Sequence, residues 1–141
     1  MINKIEHLGI AVHNIEEANQ MYEKLLGVAS YKQELVEEQG VLTSFFKVGK
    51  SKIELLASTE DDSPISKFIA KRGEGIHHIA FEVEDIKKEL KRLQSEGFQL
   101  IDKVPKKGAD NKLIAFVHPK STNGTLIELC QEISGNIAKS T

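Results

Sequence analysis

The sequence has few of the features that mark secreted, membrane-spanning or nucleic-acid-binding proteins. Its single cysteine, Cys130, excludes an internal disulfide and is typical of a reducing compartment. No apolar run approaches the roughly 20 residues that a membrane helix needs, and residues 1–4 do not resemble a signal-peptide core. The net charge of −2 gives no electrostatic reason to expect a nucleic-acid partner. We therefore expect a cytoplasmic protein without nucleic-acid or membrane partners.

The composition that remains is that of an ordinary globular protein. The chain has 141 residues, of which 40% are hydrophobic and 28% are charged. A chain of this length can bury a substantial core but is too short for two large domains. We therefore expect one domain over residues 1–141.

An internal repeat is the most informative pattern in the chain. At an offset of 78 − 7 = 71 residues, the segment His7-Leu-Gly-Ile-Ala-Val aligns with His78-Ile-Ala-Phe-Glu-Val. Further along each copy, Lys52-Ile-Glu54-Leu-Leu corresponds to Leu126-Ile-Glu128-Leu-Cys. Each copy therefore contributes one histidine and one glutamate at equivalent places.

Both copies predict the same succession of elements. The offset of 71 also aligns Asn14 with Asp85, two good helix N-caps that precede apolar residues at helical spacing, and Gly27 and Gly97 follow the last apolar turn. After each helix three strands are predicted, at 29–35, 41–48 and 52–57 in the first copy and at 98–104, 113–117 and 125–131 in the second. Each copy is therefore predicted to be a β-α-β-β-β module.

The modules are predicted at residues 3–57 and 74–132, joined by a helical connector at 58–73. The connector contains Ser63-Pro64, a cap and first-turn proline in the usual places for a helix start. The fold class that follows is α+β, with two βαβββ modules forming a curved mixed sheet around a metal-binding cleft.

Strand alternation places the repeated histidines and glutamates on one face. Successive side chains of a strand point to opposite sides, so His7, Glu54, His78 and Glu128 all oppose the apolar face that packs on the helices. The small residues two positions after the histidines, Gly9 and Ala80, leave open volume there. Two imidazoles and two carboxylates are enough to hold one divalent ion, and Co, Ni, Mn and Zn all tolerate this ligand mix.

The paired modules, with ligands from the first and last strand of each, resemble the vicinal oxygen chelate superfamily, which includes glyoxalases, extradiol dioxygenases and methylmalonyl-CoA epimerases. The resemblance covers nearly the whole chain. Several segments resemble the methylmalonyl-CoA epimerases in order and spacing: Glu38-Gln39-Gly40-Val41, Ser63-Pro64-Ile65, Gly75-Ile76-His77-His78 and His118-Pro119-Lys120. The resemblance implies a metal-dependent isomerase that interconverts (R)- and (S)-methylmalonyl-CoA through an enolate stabilised by the metal, and it implies a homodimer.

Epimerisation requires one proton to be removed on one face of a carbon and another to be delivered on the opposite face. In some epimerases of this family a glutamate after the Gln-Gly-Val element is proposed as one of two bases, and Thr43 aligns with it here. We therefore assign the two proton transfers to Glu54 and Glu128, which are also metal ligands in this interpretation. Lys120 and Ser121, at the start of a loop that can present backbone N–H groups to a substrate carboxylate, are predicted to bind the acyl-CoA substrate.

Two alternative functions remain open at the level of sequence. The same ligand set is compatible with glyoxalase I, a lactoylglutathione lyase that acts on a hemithioacetal. The fold also serves in non-catalytic proteins that bind small molecules, although these generally lack the full metal set. A ring-cleaving dioxygenase would usually have two histidines and one carboxylate around iron, so the fourth ligand argues against that class.

Overall fold

The structure is a computed structural model and describes residues 1–133; the predicted single domain extends past this range, and residues 134–141 lie outside it. The described part contains three α-helices and eight strands. In chain order these are β1 (Ile2–Val12), α1 (Ile15–Leu26), β2 (Lys32–Val36), β3 (Val41–Val48), β4 (Ser51–Ser58), α2 (Pro64–Arg72), β5 (Gly75–Val83), α3 (Ile86–Ser95), β6 (Lys106–Lys107), β7 (Lys112–Val117) and β8 (Ile127–Glu132). None of the helices within residues 1–133 has the length and apolar character to cross a bilayer.

The described residues divide into two compact units. One consists of residues 7–77, and the other consists of residues 1–6 together with those from His78 onward. The division falls inside β1, whose first five residues belong to the second unit.

In the unit formed by residues 7–77, the strands lie in the order β2-β3-β4-β1. The pairs β2–β3 and β3–β4 are antiparallel, whereas β4 pairs with β1 in parallel. One face of this mixed sheet packs against α1, with buried Val12, Phe46, Leu55 and Ala57 at its centre. The opposite face carries His7 and Glu54.

The other unit has the strand order β5-β8-β7-β6. Here β5 and β8 are parallel, and β8–β7 and β7–β6 are antiparallel. Its larger core lies between the sheet and α3, where Val83, Ile86, Leu90 and Leu129 are almost completely buried. The pairing pattern of the first unit is thus repeated.

Local sequence signals explain the helix boundaries. The Asn14 side chain accepts a hydrogen bond from the N–H of Glu17 at 3.0 Å, and Asp85 caps α3 through the N–H of Lys88 at 3.2 Å. Gly27 ends α1 with φ of 75°, a left-handed conformation that is least costly for glycine. The predicted helix starts are therefore confirmed, as is the connector helix that begins after Ser63.

The predicted strand at 98–104 is wrong. The segment makes only an isolated bridge between Leu100 and Val117, and the sixth strand is the two-residue β6 further along. The reason is local, because Oδ2 of Asp102 accepts the N–H of Phe116 at 2.9 Å. The backbone N–H of Phe116 is thus bonded to a side-chain carboxylate. In a continuous strand it would have bonded to a backbone carbonyl of the 98–104 segment.

Candidate active site

The first histidine–glutamate pair lies within the unit formed by residues 7–77. Nδ1 of His7 and Oε2 of Glu54 are 3.1 Å apart, and the two side chains are only 5% and 6% exposed. Glu54 lies directly across from Gly9 in the parallel β1–β4 pair. Because glycine has no side chain, the carboxylate can reach His7, two residues earlier on β1.

The second pair repeats this arrangement in the other unit. Nε2 of His78 lies 3.0 Å from Oε1 of Glu128, and the side chains are 5% and 7% exposed. Glu128 lies across from Ala80 in the parallel β5–β8 pair, again two residues after the histidine and again opposite a small side chain. Each histidine is thus in contact with the glutamate of its own module, and the assignment of the four side chains as metal ligands stays a prediction.

Both pairs suit a divalent metal ion. Two ligand atoms bound at about 2.1 Å and at right angles are about 3.0 Å apart, which is the spacing between nitrogen and oxygen in each pair. A buried carboxylate is costly unless a proton or a cation compensates its charge. All four side chains belong to buried groups that can hold a metal ion.

Within each sheet, the His–Glu pair lies on the face opposite the helix, as the alternation of side chains along a strand predicts. Leu55 and Leu129, next to the two glutamates in sequence, face the helices and belong to the apolar cores. On the glutamate side of the second sheet lie Ala80, Ile114 and Cys130, a small cluster of buried apolar residues with Phe116 packed against it. The lone cysteine is therefore a packing residue.

Three other residues singled out in the sequence, Thr43, Lys120 and Ser121, lie outside the His–Glu pairs. Thr43 is 1% exposed and lies across from Leu56, so this strand position carries a hydroxyl and no carboxylate. Ser121 belongs to a short 3₁₀ turn, and its Oγ accepts the N–H of Gln99 at 2.8 Å. The N–H of Lys120 donates to Nδ1 of His118 at 3.0 Å, and the Lys120 side chain is exposed.

Sequence reasoning missed two aromatic residues beside the pairs, Phe45 and Phe116. Phe45 lies directly across from Glu54 and Phe116 directly across from Glu128. The signal was available, since 116 − 45 = 71 is the offset of the repeat.

Glu89 on α3 is another buried carboxylate, and it is not one of the predicted metal ligands. The N-terminal ammonium of Met1 donates to its Oε2 at 2.6 Å, and Nε of Arg92 donates to its Oε1 at 3.0 Å. The hydrogen bond from the ammonium is the main cause that holds the pKa of Glu89 below its usual value, while burial acts in the opposite direction. This carboxylate is thus satisfied by its own partners.

Comparison with known proteins agrees with this architecture. Residues 6–116 match the model of the glyoxalase/bleomycin resistance protein/dioxygenase superfamily. The chain is 42% identical to the mitochondrial methylmalonyl-CoA epimerase of Dictyostelium discoideum, over 91% of this chain and 78% of that protein. It is 39% identical to the ethylmalonyl-CoA/methylmalonyl-CoA epimerase of Cereibacter sphaeroides, over 93% and 99% of the two chains.

Among solved structures, a variant of Streptomyces coelicolor methylmalonyl-CoA epimerase in complex with 2-nitronate-propionyl-CoA is similar to this chain. The TM-score is 0.91 at 33% identity, with 95% of this chain and 97% of that chain covered. The predicted α+β, glyoxalase-like fold class is therefore confirmed. The chain belongs to the glyoxalase/bleomycin resistance/dioxygenase superfamily and, within it, to the family of methylmalonyl-CoA epimerases.

Proposed function

We propose that this protein interconverts (R)- and (S)-methylmalonyl-CoA. The observation that carries the proposal is the repeated buried His–Glu pair, present once in each unit of a chain from the epimerase family. The relative from Streptomyces coelicolor supports the substrate class, because its structure contains a nitronate analogue of propionyl-CoA. A nitronate is a planar anion, as is the enolate that forms when a thioester loses its α-proton.

We propose further that His7, Glu54, His78 and Glu128 together hold one divalent ion, which can be Co, Ni, Mn or Zn. Such an ion supplies the Lewis acidity that stabilises negative charge on the thioester oxygen during enolisation. The support is the donor set itself: nitrogen and oxygen atoms 3.1 Å and 3.0 Å apart in side chains that are at most 7% exposed.

The proton transfers belong to Glu54 and Glu128 in this proposal. One carboxylate removes the C2 proton, and the other, in its protonated form, delivers a proton to the opposite face. The roles exchange for the reverse reaction. Thr43 supports the assignment, because a threonine hydroxyl cannot act as a general base near neutral pH at the position where some relatives have a glutamate.

The proposal also includes a binding role for Lys120 and Ser121. The 3₁₀ turn Pro119–Ser121 exposes the Lys120 ammonium, and a lysine is a suitable partner for a carboxylate or phosphate of the acyl-CoA. We further propose a homodimer, as expected from the resemblance. The cytoplasmic location stays a prediction.

The deciding experiment is deuterium uptake at C2 of methylmalonyl-CoA by metal-loaded protein in D₂O, followed by mass spectrometry and proton NMR. The same preparation is assayed with the hemithioacetal of glutathione and methylglyoxal. We expect exchange of the first substrate and no product from the second. Isomerisation of the hemithioacetal without exchange of methylmalonyl-CoA would make the protein a glyoxalase, and tight binding of either compound without turnover would make it a binding protein.

A further inference from the structure

Each proposed glutamate ligand has a phenylalanine as its direct neighbour on the antiparallel partner strand. Phe45 pairs with Glu54, and Phe116 pairs with Glu128. Directly paired residues point to the same side of a sheet, with Cβ atoms about 5 Å apart. Both rings therefore lie on the glutamate face, whereas Phe46, the next residue on β3, belongs to the core under α1.

A lysine covers each of these rings. Nζ of Lys32 lies 4.7 Å from the ring centroid of Phe45, and Nζ of Lys106 lies 5.5 Å from that of Phe116. Both distances are within the range of a cation–π interaction. Each lysine lies on the strand just before the hairpin that carries the glutamate, Lys32 on β2 and Lys106 on β6. The contact is therefore repeated in both halves, although the two lysines are not separated by the offset of the phenylalanines.

An acidic residue close in sequence holds each lysine. Lys32 lies 3.9 Å from Oε1 of Glu34, and Lys106 lies 3.3 Å from Oδ1 of Asp102. Asp102 contacts both the lysine and the phenylalanine, because its Oδ1 lies near Lys106 and its Oδ2 accepts the backbone N–H of Phe116 at 2.9 Å. Each ammonium group thus lies between an aromatic ring and a carboxylate, and the lysine side chains are 39% and 48% exposed.

The second ring also contacts the histidine of its pair. The rings of Phe116 and His78 are perpendicular at 88°, with centroids 5.7 Å apart. An edge-to-face contact of this kind favours one orientation of the imidazole plane. Phe116 therefore touches a predicted nitrogen ligand and neighbours a predicted oxygen ligand at once.

We propose that Phe45 and Phe116 are positioning residues for the metal ligands, with Lys32 and Lys106 as their covers. This inference rests on the proposed metal site. A glutamate side chain has three rotatable bonds, and freezing them costs free energy on binding unless the apo protein has already restricted them. A ring beside the carboxylate limits its rotamers and excludes water, which makes the ligand pair ready to bind. Groups that orient metal ligands typically contribute tenfold to a hundredfold in metal affinity.

The test compares matched leucine variants. Phe45→Leu is paired with Phe46→Leu, since both phenylalanines are fully buried on β3 but face opposite sides. Phe116→Leu is paired with Phe81→Leu, since both are partly buried and Phe81 packs into the core under α3. Metal dissociation constants are measured by competition with a chromophoric chelator, using Co(II), and unfolding temperatures are measured for the metal-free proteins.

We expect Phe45→Leu and Phe116→Leu to weaken Co(II) binding by about tenfold or more, with a larger loss for Phe116→Leu because it also contacts His78. Phe46→Leu and Phe81→Leu are expected to lower the unfolding temperature comparably while changing the dissociation constant less than about twofold. In the metal-free protein, the His78 ring signals in NMR spectra should shift in Phe116→Leu and not in Phe81→Leu.

Methionine variants test the lysine covers. Lys32→Met and Lys106→Met keep the aliphatic stem but remove the cation over the ring, and we expect each to weaken Co(II) binding by about twofold to fivefold, equivalent to the small energy of an exposed cation–π contact. Lys91→Met, on the exposed side of α3, is the control. Equal dissociation constants for the site variants and their controls would overturn the inference, whereas failure of the unmodified protein to bind Co(II) would instead overturn the proposed metal site.

Discussion

Replacing Glu54 or Glu128 with glutamine removes a carboxylate base while keeping the side-chain volume and an oxygen that can still bind a metal. Both glutamates are only 5% exposed, so shape must be preserved if the fold is to stay intact. The amide oxygen can maintain the contacts of 3.1 Å and 3.0 Å with the histidines. We therefore expect a stability loss of at most about 1 kcal/mol, the usual net value of one hydrogen bond.

The effect on catalysis should be much larger. A positioned general base typically contributes about 10² to 10⁴ in rate, equivalent to roughly 3 to 5 kcal/mol in the activation barrier. Each variant should lose epimerisation by this amount at saturating metal. Because each base serves one face of C2, each variant should still exchange the C2 proton of one epimer with solvent.

The assay supplies each epimer of methylmalonyl-CoA separately in D₂O and follows both exchange and inversion, with metal content measured for every sample. Glu54→Gln and Glu128→Gln should retain exchange of opposite epimers. Full activity of Glu54→Gln with full metal content would mean that Glu54 is a metal ligand and not a base. If both variants still exchanged the C2 proton of the same epimer, the two-base assignment would be refuted.

Three further predictions concern metal, packing and pH. Removal of the metal by a chelator should abolish activity and lower the unfolding temperature measured by calorimetry, since an ion present at a hundred times its dissociation constant stabilises the folded state by about 2.7 kcal/mol; an unchanged transition would show that no ion was bound. Gly108→Ala should destabilise by about 1 to 3 kcal/mol in urea unfolding, because its Cβ would lie 2.7 Å from Cδ1 of Ile114, and a neutral effect would mean that Ile114 can move aside. Because the folded-state pKa of Glu89 is lowered, its contribution is complete above the ordinary value of 4.5 and is lost as the pH falls through the folded-state pKa. The stability advantage of the unmodified protein over Glu89→Gln, on the order of 1 kcal/mol at neutral pH, should therefore vanish in acid, and a constant difference would contradict the ion pair with Met1.

The sequence placed each histidine and the glutamate of the same module on one face of the sheet because several signals coincide there. The offset of 71 aligns His7 with His78, strand alternation sets the face, and the small residues Gly9 and Ala80 lie opposite the glutamates. Asn14 and Asp85 were equally clear, since an N-cap acts through the backbone three residues away. Signals of this kind are local or periodic, and for that reason they can be recognised without knowledge of the fold.

Contacts between segments that lack such a pattern could not be predicted. Asp102 takes the N–H of Phe116 across 14 residues, and nothing in the apolar composition of 98–104 indicates that a side chain will replace the backbone there. The lysines over the two phenylalanines were missed for a related reason, because Lys32 and Lys106 belong to no recognisable motif and reach the rings only through the pairing of separate strands.

The parallel pairing within each half has a consequence for how the protein acquires its ligands. His7 and Glu54 are 54 − 7 = 47 residues apart, and His78 and Glu128 are 128 − 78 = 50 residues apart. Parallel strands cannot be joined by a tight turn, so neither contact can form until the chain between its partners has folded into a helix and two further strands. Each His–Glu pair is therefore among the last contacts of its half to form during synthesis. At the proposed metal site, where one ion needs all four side chains, a chain that has not yet reached Glu128 cannot present the complete donor set.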